Sequence, residues 1–218
     1  MDKFLIKGPC KVKGTVNISG SKNASLPILA ASILFDEMVE IKNLPNVRDI
    51  DTMLSLIKSL GFNVKQNKNS NSVIIKKSKK INTFASYSLV KTMRAGILVL
   101  GPLITKFGKA KTSLPGGCLI GARPINYHLK ALKKLGMNYK IEKGYVNAFA
   151  KSKLTGSNFF FPKISVGATE NAILAATLAN GKTILKNCAI EPEIKNDLTN
   201  FLNKAGAKIK WIGKRTVE

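Results

Sequence analysis

Cysteine and histidine are scarce in this chain. Cys10, Cys118 and Cys188 are widely spaced, odd in number and without a CxxC pair, and His128 is the only histidine. Neither a disulfide framework nor a structural zinc site fits that pattern, so reduced thiols and no metal are expected. Long apolar runs are missing too. No stretch of about 18 apolar residues could span a bilayer, and Met1-Asp2-Lys3-Phe4-Leu5-Ile6-Lys7-Gly8 lacks the apolar core of a signal peptide. The chain therefore reads as cytoplasmic, with no membrane partner. Acidic residues are few, 12 against 36 Lys and Arg, which leaves a formal net charge of +24. Clustered cations would point to nucleic acid through counterion release. Here all but Arg48, Arg94, Arg123 and Arg215 of those cations are lysines, scattered among abundant Asn and Ile. That is the pattern of base-composition drift, and nucleic acid is not the expected partner. Small anionic substrates would be drawn by the same field.

What the sequence does have is an internal repeat. Leu56–Lys65, Leu132–Lys140 and Phe201–Lys210 each read as a helix end, a glycine and an alternating strand. The glycines Gly61, Gly136 and Gly206 fall at near-equal intervals, 136 − 61 = 75 and 206 − 136 = 70. Glycine at that point suits a left-handed helix C-terminus, and period-two alternation suits a strand. Upstream lie three small, apolar stretches, Pro27–Leu34, Ala95–Gly101 and Ala172–Leu178, apolar on more than one face and so expected as buried helices. Ala30 to Ala175 and Gly61 to Gly206 share one offset, 175 − 30 = 206 − 61 = 145. Between these helices lie strand candidates at Met38–Asn43, Gly108–Leu114 and Lys182–Asn187. One unit therefore reads buried helix, strand, loop, amphipathic helix, glycine, strand. Three copies of about 70 residues predict an α/β domain closed on itself, with buried helices inside and sheets outside.

Chemistry is suggested at four places. Ser113-Leu114-Pro115-Gly116-Gly117-Cys118 to Gly121-Ala122-Arg123-Pro124 cannot comfortably continue a helix or strand, which predicts a surface loop. Exposure with Lys111 and Arg123 nearby would favour the Cys118 thiolate. Ser19-Gly20-Ser21-Lys22-Asn23-Ala24 precedes the first buried helix, where free N–H groups and a lysine could hold a phosphate or carboxylate. The spacing is not that of a P-loop. Lys91-Thr92-Met93-Arg94 and Lys163-Ile164-Ser165-Val166-Gly167-Ala168-Thr169-Glu170-Asn171 occupy the equivalent points of the other two units. Either the three helix starts form one convergent anion site, or they are ordinary N-caps with surface cations. His128 has no partner motif and is given no catalytic role.

Those four motifs, in this order and along the whole chain, resemble the enolpyruvyl transferases that act on UDP-N-acetylglucosamine. The resemblance implies an inside-out α/β barrel of the EPSP-synthase-like kind, built of three pseudo-equivalent β-α-β-α-β-β units, and no cofactor. It implies transfer of enolpyruvate from phosphoenolpyruvate to the 3-hydroxyl of the nucleotide sugar, the step that opens peptidoglycan synthesis. By the same resemblance Cys118 is the general acid and the thiol that fosfomycin alkylates. Lys22, Asn23 and Arg123 would hold phosphoenolpyruvate. Arg94, Arg123, Pro124, Ile125, Asn126 and Tyr127, with Lys163, Ile164, Ser165 and Val166, would frame UDP-N-acetylglucosamine. The family usually reads Asp and Leu where this chain has Asn126 and Tyr127, which bears on nucleotide affinity.

The family is also about twice as long. Residues 21–218 correspond to its first domain, whereas residues 1–20 belong with its second and are expected here as an unpaired strand edge. The family's proton-accepting aspartate and further arginines lie in that second domain. The chain is therefore expected to be inactive alone and to need a C-terminal complement, supplied by a separate chain if at all. Two rival readings are a shikimate-pathway EPSP synthase, which does not use the cysteine, and a non-catalytic basic binding module.

Overall fold

A computed structural model describes residues 3–116 and 124–218. The first unit comprises α1 (Lys22–Ala31), a 3-10 turn (Ser32–Leu34), β1 (Val39–Ile41), α2 (Arg48–Ser59), β2 (Phe62–Asn67) and β3 (Ser72–Lys77). The second comprises β4 (Phe84–Ala85), α3 (Tyr87–Val90), a 3-10 helix (Arg94–Val99), α4 (Leu100–Phe107), β5 (Lys109–Ser113), α5 (Asn126–Lys134), β6 (Asn138–Glu142) and β7 (Tyr145–Phe149). The third comprises β8 (Asn158–Phe160), α6 (Val166–Ala176), β9 (Ile184–Lys186), a π-helical turn (Glu193–Leu198), α7 (Thr199–Lys204), β10 (Trp211–Gly213) and β11 (Thr216–Val217).

Each unit makes its own sheet; the apolar helix α6 packs against both α4 and α1, α1 packs on the 3-10 helix that leads into α4, and α4 packs on the 3-10 turn that follows α1. This layering follows from composition. Leu29, Ile33, Leu100, Leu103 and Leu174 are fully buried, and helices apolar on all sides are stable only where no face meets water. Each such leucine contributes about 1.5–3 kcal/mol of burial. The outer helix α2 is two-faced instead: Ile50, Met53, Leu54, Leu56 and Ile57 point inward. Asp49 and Asp51 in its first turn and Lys58 in its last complement the helix dipole. Gly61, Gly136 and Gly206 end the three outer helices at φ of 92°, 110° and 99°, where a side chain would be strained.

One expectation needs correction. The buried helix expected over Ala95–Gly101 is a 3-10 helix up to Val99, and α-helix begins only at Leu100. Gly96 and Gly101 favour helix poorly, Pro102 has no N–H to donate, and the Gly101 N–H is taken by the Asn171 side chain at 2.8 Å. Residues 3–19, expected to be left unpaired, make no helix or strand and lie exposed, with Leu5 at 100% and Val12 at 93%. An open edge is also present at β1, as described below.

Candidate active site

Three helix starts meet in one place. A cavity of about 520 Å³ is lined by Lys22 and Asn23 from α1, Arg94 from the middle 3-10 helix, and Ser165, Val166 and Gly167 from α6. At α1 the Ser21 hydroxyl accepts from the Ala24 N–H at 3.3 Å; at α6 Ser165 does the same for Ala168 at 3.4 Å. Both caps leave other first-turn N–H groups without an intrahelical partner, a setting that favours an anion. Pro27 inside α1 supplies no N–H for the Asn23 carbonyl, so a further polar group stays unpaired within the helix there. Lys22 is held at 3.0 Å by Asp49 of α2. Both side chains are partly exposed, so the pair contributes no more than about 1 kcal/mol and an incoming anion can displace it.

Next to these helix starts lies a buried polar network. His128 and Asn171 are 3% and 0% exposed. The Asn171 amide nitrogen donates to the Ile97 carbonyl at 3.0 Å and lies 3.1 Å from His128 Nδ1, while its oxygen accepts from Gly101 N–H. With both amide protons so used, Nδ1 is the acceptor and the ring proton sits on Nε2. Gly167 leaves room for that ring, because a Cβ there would stand 3.2 Å from His128 Cε1. Burial, and then the charge of Arg94, lowers the His128 pKa to about 4, so the imidazole is neutral. Glu170 is 5% exposed in the same wall. Burial, then Glu191 and Glu193, raises its pKa to about 8 against the opposing pull of Arg94. It is a neutral acid near pH 7. Thr169 completes the helix by donating to the Ser165 carbonyl at 2.8 Å and accepting from Ala189 N–H at 3.1 Å.

Of the residues expected at a site, Lys22, Asn23, Arg94, Ile164, Ser165 and Val166 share this cavity. Lys163 is exposed beside it in sequence, and Pro124, Ile125, Asn126 and Tyr127 lead into and begin α5, whose His128 reaches the cavity wall. Cys118 and Arg123 lie outside the described residues. Gly116, on the near side of them in sequence, packs directly on the backbone of Lys91. His128, Glu170 and Asp49 were not anticipated as lining residues. The signal available was the polar run Thr169-Glu170-Asn171 inside an otherwise apolar helix. Among the described residues no group of His, Cys, Asp and Glu could hold a metal. Cys188 is buried, which pushes its thiol up to about 12 and leaves it inert.

Residues 6–218 match the sequence profile of EPSP synthase (3-phosphoshikimate 1-carboxyvinyltransferase). The chain belongs to the EPSP synthase family. Within that family, it is 62% identical over 217 residues to UDP-N-acetylglucosamine 1-carboxyvinyltransferase of Pelagibacter ubique, covering 100% of this chain and 51% of the relative. It is 51% identical over 215 residues to the Rickettsia bellii protein of the same name, covering 98% and 51%. The fold matches the enolpyruvyl transferase NikO from Streptomyces tendae with a TM-score of 0.78 at 19% identity, over 94% of this chain and 47% of that one. The chain thus spans about half the length of the curated relatives it matches. Among the described residues no helix is long and apolar enough to cross a membrane.

Proposed function

We propose that the chain is the first domain of a UDP-N-acetylglucosamine 1-carboxyvinyltransferase acting in the cytoplasm at the entry to peptidoglycan synthesis. The observation that supports it most is the convergence of Lys22, Asn23, Arg94 and Ser165 on one cavity, together with relatives of that name along the whole chain. Phosphoenolpyruvate would be held by Lys22, Asn23 and Arg123. The nucleotide sugar would lie along Arg94, Arg123–Tyr127 and Lys163–Val166. Cys118 would act as general acid, giving its proton to the methylene carbon of phosphoenolpyruvate while the sugar 3-hydroxyl bonds to the adjacent carbon. As phosphate departs, the methyl carbon gives up a proton, which restores the double bond, and cations already in place stabilise the shifting charge. Acceptance of the sugar proton falls to the complementary half, so the chain alone turns over negligibly.

The EPSP-synthase reading draws on the description of the family profile, and the cysteine loop and the names of the relatives weigh against it. Phosphate release from phosphoenolpyruvate and UDP-N-acetylglucosamine separates the two. The expected result is no turnover by the 218 residues alone, turnover after adding the C-terminal half of the 62% identical relative, and its loss in Cys118→Ser. Turnover by the chain alone, or turnover that accepts shikimate 3-phosphate in place of the nucleotide sugar, contradicts the proposal.

A further inference from the structure

The three sheets share one strand pattern except at a single edge. The second and third sheets have four strands in the orders β4-β5-β7-β6 and β8-β9-β11-β10, and in both the first strand runs parallel to the second. The first sheet has three strands, β1-β3-β2. The repeat offset of 145 superimposes β9 on β1, since 184 − 145 = 39 and 186 − 145 = 41. Nothing among the described residues fills the place that β4 and β8 take beside their neighbours. The outer edge of β1 is therefore a row of unpaired backbone groups.

The chain path shows where the strand for that place comes from. β4 and β8 are each delivered by the connection leaving the preceding unit. Before β4, Asn82 N–H donates to the Leu60 carbonyl at 3.0 Å; before β8, Thr155 N–H donates to the Leu135 carbonyl at 2.9 Å. Leu60 and Leu135 are the C-cap residues of α2 and α5. Their counterpart after α7 is Ala205, whose carbonyl receives no backbone N–H from the described residues. The same connections cover the helix-ending glycines: the Lys80 backbone packs on Gly61, and the Leu154 side chain stands 3.8 Å from a Cβ at Gly136. Gly206 has nothing within 4 Å. Beside it is a cavity of about 450 Å³ lined largely by apolar groups, among them Ile173, Leu185, Ala207, Ile209 and Val217. In the other units this connection carries an apolar plug, half-buried Ile81 and fully buried Leu154.

We infer that the cavity beside Gly206 and the free edge of β1 are a single docking surface for the polypeptide that follows Glu218 in a chain of the relatives' length. The offset from Gly61 to Ile81 is 81 − 61 = 20, and that from Gly136 to Leu154 is 154 − 136 = 18. Carried over to Gly206, these offsets make the plug the sixth to eighth residue past Glu218 (206 + 18 = 224, 206 + 20 = 226). For β4 and β8 the offsets from the same glycines are 84 − 61 = 23 and 158 − 136 = 22, which puts the new strand at the tenth or eleventh residue past Glu218, parallel to β1. Passing the Ala205 carbonyl on the way, it closes the ring of three units from the third back to the first. The opening residues 3–19 are the rival occupant, since Gly20, which follows them, packs on Asn43 close to β1. Val12, Val16 and Ile18 are 93%, 80% and 84% exposed and touch neither edge nor cavity, which disfavours them. The inference does not depend on the catalytic reading.

The test compares the 218-residue chain with a version lengthened beyond Glu218 through the plug and the new strand, using the segment that follows the aligned position in the 62% identical relative. The expected result is at least tenfold slower amide hydrogen exchange in Val39–Asn43 of the lengthened chain. A version whose apolar plug is changed to Asp loses that protection. Should the lengthened chain fail to fold, the same segment is added as a synthetic peptide and read by the same exchange. The inference is overturned if exchange at Val39–Asn43 is the same with and without the added segment. It is equally overturned if the 218-residue chain already protects that edge, whether the protection vanishes on deleting residues 3–18 or grows with protein concentration as a second copy docks.

Discussion

Two buried titratable groups in the cavity wall oppose one another through pH. Glu170 has its pKa raised from 4.5 to about 8, so its contribution to folding is complete below pH 4.5 and is lost as pH rises toward 8. His128 has its pKa lowered from 6.5 to about 4, so its contribution is complete above pH 6.5 and is lost as pH falls toward 4. Between 4.5 and 6.5 the slopes cancel. Above 6.5 only Glu170 still acts, and at about 1.36 kcal/mol per pH unit stability falls by about 2 kcal/mol up to pH 8. Denaturant unfolding across pH 4–9 is expected to give a plateau and then that decline. In Glu170→Gln the decline above 6.5 is expected to disappear and a rise from pH 4 to 6.5 to emerge. A variant profile that still falls above pH 6.5 would assign the titration to another group.

At the scale of elements, Asn171 is what fixes the middle helix against α6. Its side chain satisfies the Gly101 N–H, the Ile97 carbonyl and His128 Nδ1, all away from water. Asn171→Ala leaves these groups unpaired and is expected to destabilise the fold by about 2–4 kcal/mol, checked by urea unfolding; a loss under about 1 kcal/mol would show that water replaces the amide. This pin was hidden in the sequence because the polar run Thr169-Glu170-Asn171 reads as part of a helix start, and the groups that Asn171 satisfies lie far from it in the chain. The three units were legible for the opposite reason. A glycine forced into the left-handed region and a fixed offset between equivalent features are local and repeated signals. That the first sheet has no fourth strand among the described residues was not legible, since the corresponding strands β4 and β8 have only two or three residues and carry no alternation to read. Of the site, cations at helix starts could be seen one by one; that α1, the 3-10 helix and α6 aim them at one cavity is a property of ring closure.

For the whole molecule, the excess of lysine acts as a field rather than as a set of contacts. Among the few acids, Asp36 binds both Lys106 of α4 and Lys77 of β3, whose hydrogen bonds lower its pKa to about 2, and so ties the first unit to the second. The remaining positive charge favours an anionic ligand at the cavity that gathers Lys22, Arg94 and two capped helix starts. Calorimetric titration of UDP-N-acetylglucosamine into the 218-residue chain tests this directly. The account predicts saturable binding, weakened at least tenfold in Arg94→Ala and unchanged in Lys208→Ala, a lysine of the cavity beside Gly206. Equal binding by both variants, or saturable binding of shikimate 3-phosphate with none of the nucleotide sugar, would contradict it.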